Sequence, residues 1–183
     1  MAALLLGLGS AWWVLKKATW MNRAVSVGAW STSLEAGSAR ANLYTRAVVA
    51  MNGLLALGSQ ETMYFVARAD DTGLPLRASC SYRISGVAPA ARWWSITAYA
   101  DDMFLFDAPN QHYSLNATTA ALDAQGRFML ATGQKETPGL FWLPTLGDRG
   151  LVLTLRLYNP DITVQKAPAS LQVPSITPLG NCA

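Results

Sequence analysis

From Leu151 to Tyr158 the chain alternates without a break, with Leu151, Leu153, Leu155 and Leu157 on one side and Val152, Thr154, Arg156 and Tyr158 on the other. A period of two marks a strand with one face on a core. Residues 62–69 (TMYFVARA), 79–85 (SCSYRIS), 91–99 (ARWWSITAY), 102–106 (DMFLF), 112–116 (HYSLN) and 120–132 (AALDAQGRFMLAT) read as further short strands. Turn sequences such as DDTG at 70–73 and DAPNQ at 107–111 separate them. Seven or eight such strands predict a mainly β domain, an antiparallel jelly-roll-like β-sandwich. In ARWWSITAY the alternation puts Trp94, Ile96 and Ala98 on one face and Trp93, Ser95, Thr97 and Tyr99 on the other.

Only one later stretch has a helical period. Leu43, Ala47, Val48, Met51, Leu54 and Leu55 recur at the spacing of an amphipathic helix over 42–57, with Asn42 to cap it and Gly58 to end it. Residues 22–41 mix Gly, Ser and Ala without a sustained period and read as an extended connector to a body of residues 42–183.

The start of the chain, MAALLLGLGSAWWVLKKATW, is apolar and uncharged from Ala2 to Leu15. That run covers about 21 Å as a helix, short of a hydrocarbon layer of roughly 30 Å. Continued to Trp20, with Lys16 and Lys17 snorkelling, it becomes long enough, and Trp12, Trp13 and Trp20 then sit near interfacial depth. A cleaved signal peptide needs a basic start, which is missing, although GSA at 9–11 is a passable cleavage site. A buried core helix is the other alternative. The expectation is an uncleaved, single-pass transmembrane helix over residues 1–21, in contact with membrane lipid.

Composition sharpens this picture. The 183 residues suit one domain with a real core, and 51% hydrophobic against 14% charged residues leaves little charge to cover a surface, so part of that surface is expected to lie against membrane or protein. A net charge of +3, with Lys and Arg scattered, argues against nucleic acid. The single histidine, His112, excludes a multi-histidine metal site. Cys80 and Cys182 lack CxxC spacing and are either a disulfide or two independent thiols. A disulfide would close a loop of about 100 residues, worth roughly 4–5 kcal/mol in the chain-entropy model, and would persist in the periplasm. Lys16 and Lys17 favour instead a cytoplasmic side after the helix, but two lysines are a weak signal. The expected location is therefore a bacterial inner membrane with the main domain periplasmic.

Candidate chemistry is sparse. His112 and Ser114 share one side of a strand, with Asp101, Asp102 and Asp107 near in sequence, so the ingredients of a nucleophile, base and acid are present as an alternative ligand or hydrolytic site. No GxSxG, HExxH or phosphate-loop motif accompanies them, and the simpler reading is a histidine at a strand edge bonded to a loop. Asp70-Asp71 and Asp101-Asp102 offer oxygens to calcium, yet DDTG is a turn that needs no ion. Asn116-Ala-Thr118 matches a glycosylation sequon that a bacterial protein does not use. No catalytic residue, metal site or cofactor is expected. More informative is the face opposite the core, where Trp93 and Tyr99 join Tyr64, Arg83, Arg156 and Tyr158 if their strands share one sheet. Such a surface suits a partner protein, a stacking sugar, or burial beneath the 42–57 helix as a second core.

The succession ETMYF, ARWWSITAY, NQHYSLN and FWLPTLGDRGLVLTLRLYNPD, followed by a proline-rich end, resembles the bacterial family called domain of unknown function 1214, over roughly residues 44–178. The resemblance implies a jelly-roll-like sandwich and, for the short type, an N-terminal membrane helix with the domain outside the cytoplasm; longer relatives add a second β-rich domain. It implies no reaction. Two positions depart from the family pattern: His112 stands where arginine is common, and Phe141 where asparagine is common. The expected function is a non-enzymatic accessory or structural subunit of an inner-membrane complex, of respiratory or photosynthetic type, partnered by integral membrane subunits. The alternative is an envelope module that binds or hydrolyses a sugar or lipid.

Overall fold

The computed structural model describes residues 2–17, 24–35, 37–39, 41–51, 57–180 and 182. A helix α1 (Ala2–Lys17) leads into β1 (Ala24–Val27), β2 (Trp30–Ser33) and α2 (Leu43–Met51). Then follow β3 (Thr62–Ala67), β4 (Tyr82–Val87), β5 (Ala91–Ala100), β6 (Ser114–Asn116), β7 (Arg127–Gly133) and β8 (Phe141–Pro144). The chain closes with β9 (Leu151–Pro160), the short α3 (Ile162–Lys166), a 3-10 turn at Pro168–Ser170 and β10 (Ser175–Pro178). The fold is mainly β. Six strands form one sheet in the order β1-β2-β3-β9-β5-β6, and four form a second in the order β10-β4-β7-β8.

The leucine strand organises the larger sheet. β9 lies between β3 and β5, antiparallel to both, with Leu155 opposite Phe65 on one side and Ile96 on the other. Its four leucines are buried, as are Met63, Phe65, Trp94, Ile96 and Ala98 from the neighbouring strands, so the expected inward faces are the observed ones. Tyr82, Ile84, Phe128, Leu130, Leu143 and Ile176 meet them from the second sheet. The rings of Trp94 and Phe128 approach to 4.9 Å across the sandwich, which ties the two sheets together at mid-core.

Several elements differ from the sequence reading. The expected connector over 22–41 contains the β1–β2 hairpin, turned at Gly28 in a left-handed conformation (φ 56°) that favours glycine. Trp30 from this hairpin is buried on the core face, and its indole N–H donates to the Pro174 carbonyl at 2.7 Å. Residues 102–106 are a turn rather than a strand: the Met103 N–H bonds back to Ala100, the Phe104 carbonyl accepts from the Ala100 N–H, and a single bridge joins Tyr99 to Leu105. Of 120–132, only the part after the turn at Gln125-Gly126 is a strand. β8 and β10 had no clean alternation to reveal them.

One pair breaks the antiparallel rule. β8 runs parallel to β7, with Leu130 opposite Phe141 and Gly133 opposite Pro144. Parallel neighbours normally need a long crossover. Here the seven residues 134–140 suffice, because the paired stretch is four residues long and the chain has to double back only about 10 Å. At the end of β7, Gly133 leaves room for Ser81, whose Oγ a side-chain carbon would meet at 2.4 Å.

At the N-terminus of α2 the Asn42 carboxamide oxygen accepts the Thr45 N–H at 2.9 Å, the cap that the sequence predicts. The described helix ends at Met51, and the rest of the expected 42–57 helix up to residue 56 lies outside the described residues. Among the described residues no helix is long and apolar enough to cross a membrane. Of the transmembrane helix expected over 1–21, the described part is the 16 residues of α1, about 24 Å of helix and short of a hydrocarbon layer of roughly 30 Å. Cys80 and Cys182 form a disulfide, with Cα atoms 5.5 Å apart, and the tail is further held by the Leu179 N–H on the Ser81 carbonyl.

Trp94→Ala removes the side chain that bridges the sheets. It should lower stability by about 3–5 kcal/mol, read as a shift in the urea midpoint at unchanged slope.

Candidate functional site

The outer face of the larger sheet gathers most of the aromatic and cationic candidates. Strand register sets Tyr158 between Thr62 and Trp93, Arg156 between Tyr64 and Ser95, and Thr154 between Val66 and Thr97. β6 extends these rows, with Asn116 beside Ser95 and Ser114 beside Thr97. Arg83 does not belong to this face, because β4 lies in the second sheet.

At the centre of the face the Arg156 guanidinium runs along the sheet. Its Nη2 donates to the Tyr99 hydroxyl at 2.7 Å and its Nη1 to Thr97 Oγ1 at 3.2 Å. The guanidinium carbon lies over the Tyr99 ring at 5.3 Å and over the Tyr64 ring at 5.9 Å, within cation–π range. Thr62, Ser95, Thr97, Val152 and Thr154 are buried on this side, whereas Tyr64, Trp93, Tyr99, Arg156 and Tyr158 are half-buried. The face is therefore a packed polar layer with aromatic and cationic groups at its surface. Trp93 stands edge-on to Tyr158 at 5.2 Å, and its indole N–H donates to Thr118 Oγ1 at 3.3 Å. Burial pushes the Tyr64 phenol above its ordinary value and Tyr158 pushes it the same way, while the Arg156 charge opposes them.

The hydrolytic constellation does not assemble. Asp102 pairs with Arg149 and accepts the Phe104 N–H at 3.1 Å, and Arg149 Nε lies 3.8 Å from Asp101. His112 stacks on Phe141 with ring centroids 4.7 Å apart, its Nδ1 lies 3.2 Å from Asn110 Nδ2, and its N–H donates to Asn110 Oδ1. Ser114 sits in β6 opposite Thr97. Among the described residues no hydrogen bond links His112, Ser114 and Asp102. His112 and Phe141, the two positions that depart from the family pattern, are thus each other's packing partners, which sequence separation concealed.

The aspartate pairs serve turns. Asp70 Oδ1 accepts the Thr72 N–H at 2.8 Å, the Thr72 hydroxyl at 2.6 Å and the Leu74 N–H at 3.1 Å. Burial raises its carboxyl pKa, but these bonds outweigh it and hold the group below the usual carboxylate range. Asp71 Oδ2 accepts the Ile176 N–H at 2.8 Å. Among the described residues no group of three metal-capable side chains occurs. A cleft of about 590 Å³ on the smaller sheet, bordered by Ser85, Thr119, Asp123, Arg127, Met129 and Phe141, went unnoticed in the sequence. Its polar wall is the Asp123–Arg127 ion pair at 3.1 Å.

The remaining candidates lie in α1. Trp12 and Trp13, with Leu4, Leu5, Leu6 and Leu8, are 61–73% exposed. Trp20 lies outside the described residues.

Arg156→Gln tests the electrostatics of the outer face. Without the cation that favours its ionised form, the Tyr64 phenol should titrate higher still. The folded state then keeps a proton that the unfolded chain releases near pH 10, so stability falls as pH rises above that point, more steeply in the variant. Ring-carbon NMR of Tyr64 against pH reads the shift; a lower value in the variant contradicts this account.

A protein from Vibrio parahaemolyticus, VPA0106, superposes with a TM-score of 0.62 at 22% identity, over 77% of this chain and 36% of that one. An uncharacterized protein from Burkholderia cenocepacia gives a TM-score of 0.47 at 16% identity, over 64% of this chain and 29% of that one. The chain spans about a third of the length of these proteins, and the first likeness extends to the fold alone. No curated protein matches the chain. The family described as protein of unknown function DUF1214 matches residues 61–162, from the start of β3 to the start of α3, and the chain belongs to this family.

Proposed function

We propose that this is a short, membrane-anchored member of its family, a non-enzymatic accessory subunit of a bacterial inner-membrane assembly, with a jelly-roll-like sandwich on the periplasmic side. The observation that carries this reading is α1. It is uncharged from Ala2 to Leu15, and Leu4, Leu5, Leu6, Leu8, Trp12 and Trp13 project outward rather than into the sandwich core. Burying six such side chains is worth on the order of 10 kcal/mol, a driving force that a bilayer or the apolar surface of a membrane subunit can satisfy. Trp12 and Trp13 bring the amphipathic rings favoured at interfacial depth.

The disulfide supports the side of the membrane. A Cys80–Cys182 bond persists where the surroundings are oxidising, as in the periplasm. A hydrolase centred on His112 and Ser114 draws no support from the geometry, since Asp102 is engaged by Arg149 and His112 by Phe141 and Asn110.

Fractionation of cells producing the full chain tests the reading. The protein should stay in the membrane pellet through an alkaline carbonate wash, and removal of residues 1–21 should release it. Maleimide should label Cys80 and Cys182 only after a reductant is added. Full-length protein in the soluble fraction, or labelling without reductant, contradicts the proposal.

A further inference from the structure

We propose that Arg156 anchors a binding site for a small organic monocarboxylate on the outer face of the larger sheet. All eleven acidic side chains of the protein are among the described residues, and none forms an ion pair with Arg156. A guanidinium drawn half out of water without a counter-charge is costly unless something else compensates it. Among the described residues the ion pairs instead involve Arg77 and Arg149, outside the strands, and Arg127 at the exposed start of β7.

The hydrogen-bonding pattern selects the ligand. A guanidinium carries five N–H donors, and the described residues take two of them, through Tyr99 and Thr97. Both of those hydroxyls act as acceptors toward Arg156, so each keeps its own proton to give. The remaining three N–H groups and the two hydroxyl protons are therefore all donors. Such a site fits a group that only accepts, and an ionised carboxylate is one. The rings of Tyr64 and Tyr99 lie over the guanidinium, which leaves its N–H edge as the approach for a planar two-oxygen anion.

Charge then separates carboxylate from phosphate. Arg156 supplies one unbalanced positive charge. Arg68, just past the end of β3, already feels the charge of Asp101. A monoanion is matched by the single charge, whereas a phosphate dianion is not. The site does not depend on α1, so failure of the membrane reading and failure of this one are separable.

Titration of the full-length protein in mild detergent with benzoate, followed by NMR of the Arg156 Nε–H and the Tyr99 ring, tests the assignment. Benzamide and inorganic phosphate serve as parallel probes. A saturable benzoate shift is expected, with no response to benzamide and a weaker one to phosphate. Tyr99→Phe removes one hydroxyl and should weaken benzoate by about tenfold, and Arg156→Gln should abolish the response at Tyr99. If Arg156→Gln does not fold, Tyr99→Phe decides. Absence of a saturable shift, an equal response to benzamide, a stronger one to phosphate, or unchanged affinity in Tyr99→Phe overturns the proposal.

Discussion

The two-faced pairing of β9 is the constraint on which the rest of the molecule depends. Because β3 and β5 flank it, every residue from Leu151 to Tyr158 must satisfy either the core or the outer layer. A slip of one residue would send four leucines outward and Arg156 into the sandwich, so the register is strongly specified. The same register brings Tyr64 and Tyr99, 35 positions apart in sequence, to opposite sides of one guanidinium. Core and candidate site are thus two sides of a single pattern.

Where that pattern is long and uninterrupted, the sequence was legible. β3, β5 and β9 follow from alternation, and the inward choice of Trp94 over Trp93 follows from the same period. The Asn42 cap was also readable from local chemistry, whereas the two cysteines could be a disulfide or independent thiols until the structure joined them. Short elements were not. The β1–β2 hairpin is four residues a side, with Trp30 the one large apolar residue among Ser, Thr, Ala and Val, so its apolar positions are too few to show a period. β8 is four residues long and pairs in parallel, which no local feature announces. Residues 102–106 have the apolar content of a strand, but Asp102 accepts the Phe104 N–H and turns the chain. For the candidate site, the sequence could name Arg156, Tyr99, Trp93 and Tyr158, yet the sheet to which Arg83 belongs and the contact between His112 and Phe141 required the topology.

The family match covers β3 through β9, and so contains the leucine strand, both tyrosines and Arg156. It leaves out α1, the hairpin, β10 and Cys182. The matched stretch holds the strands that position the outer face and one of the two bonded cysteines, Cys80. Two demands are unmet within the described residues: an apolar helix with its side chains outward, and a half-buried cation without a carboxylate.

The cover proposed for α1 is a membrane assembly. Extraction of native membranes in a mild detergent, followed by sizing of the complex that carries this protein, tests it most directly. Migration with integral membrane subunits in a fixed ratio is expected, lost when Leu4, Leu5, Leu6 and Leu8 are replaced by serine. Recovery of the intact protein only as a free monomer would contradict it.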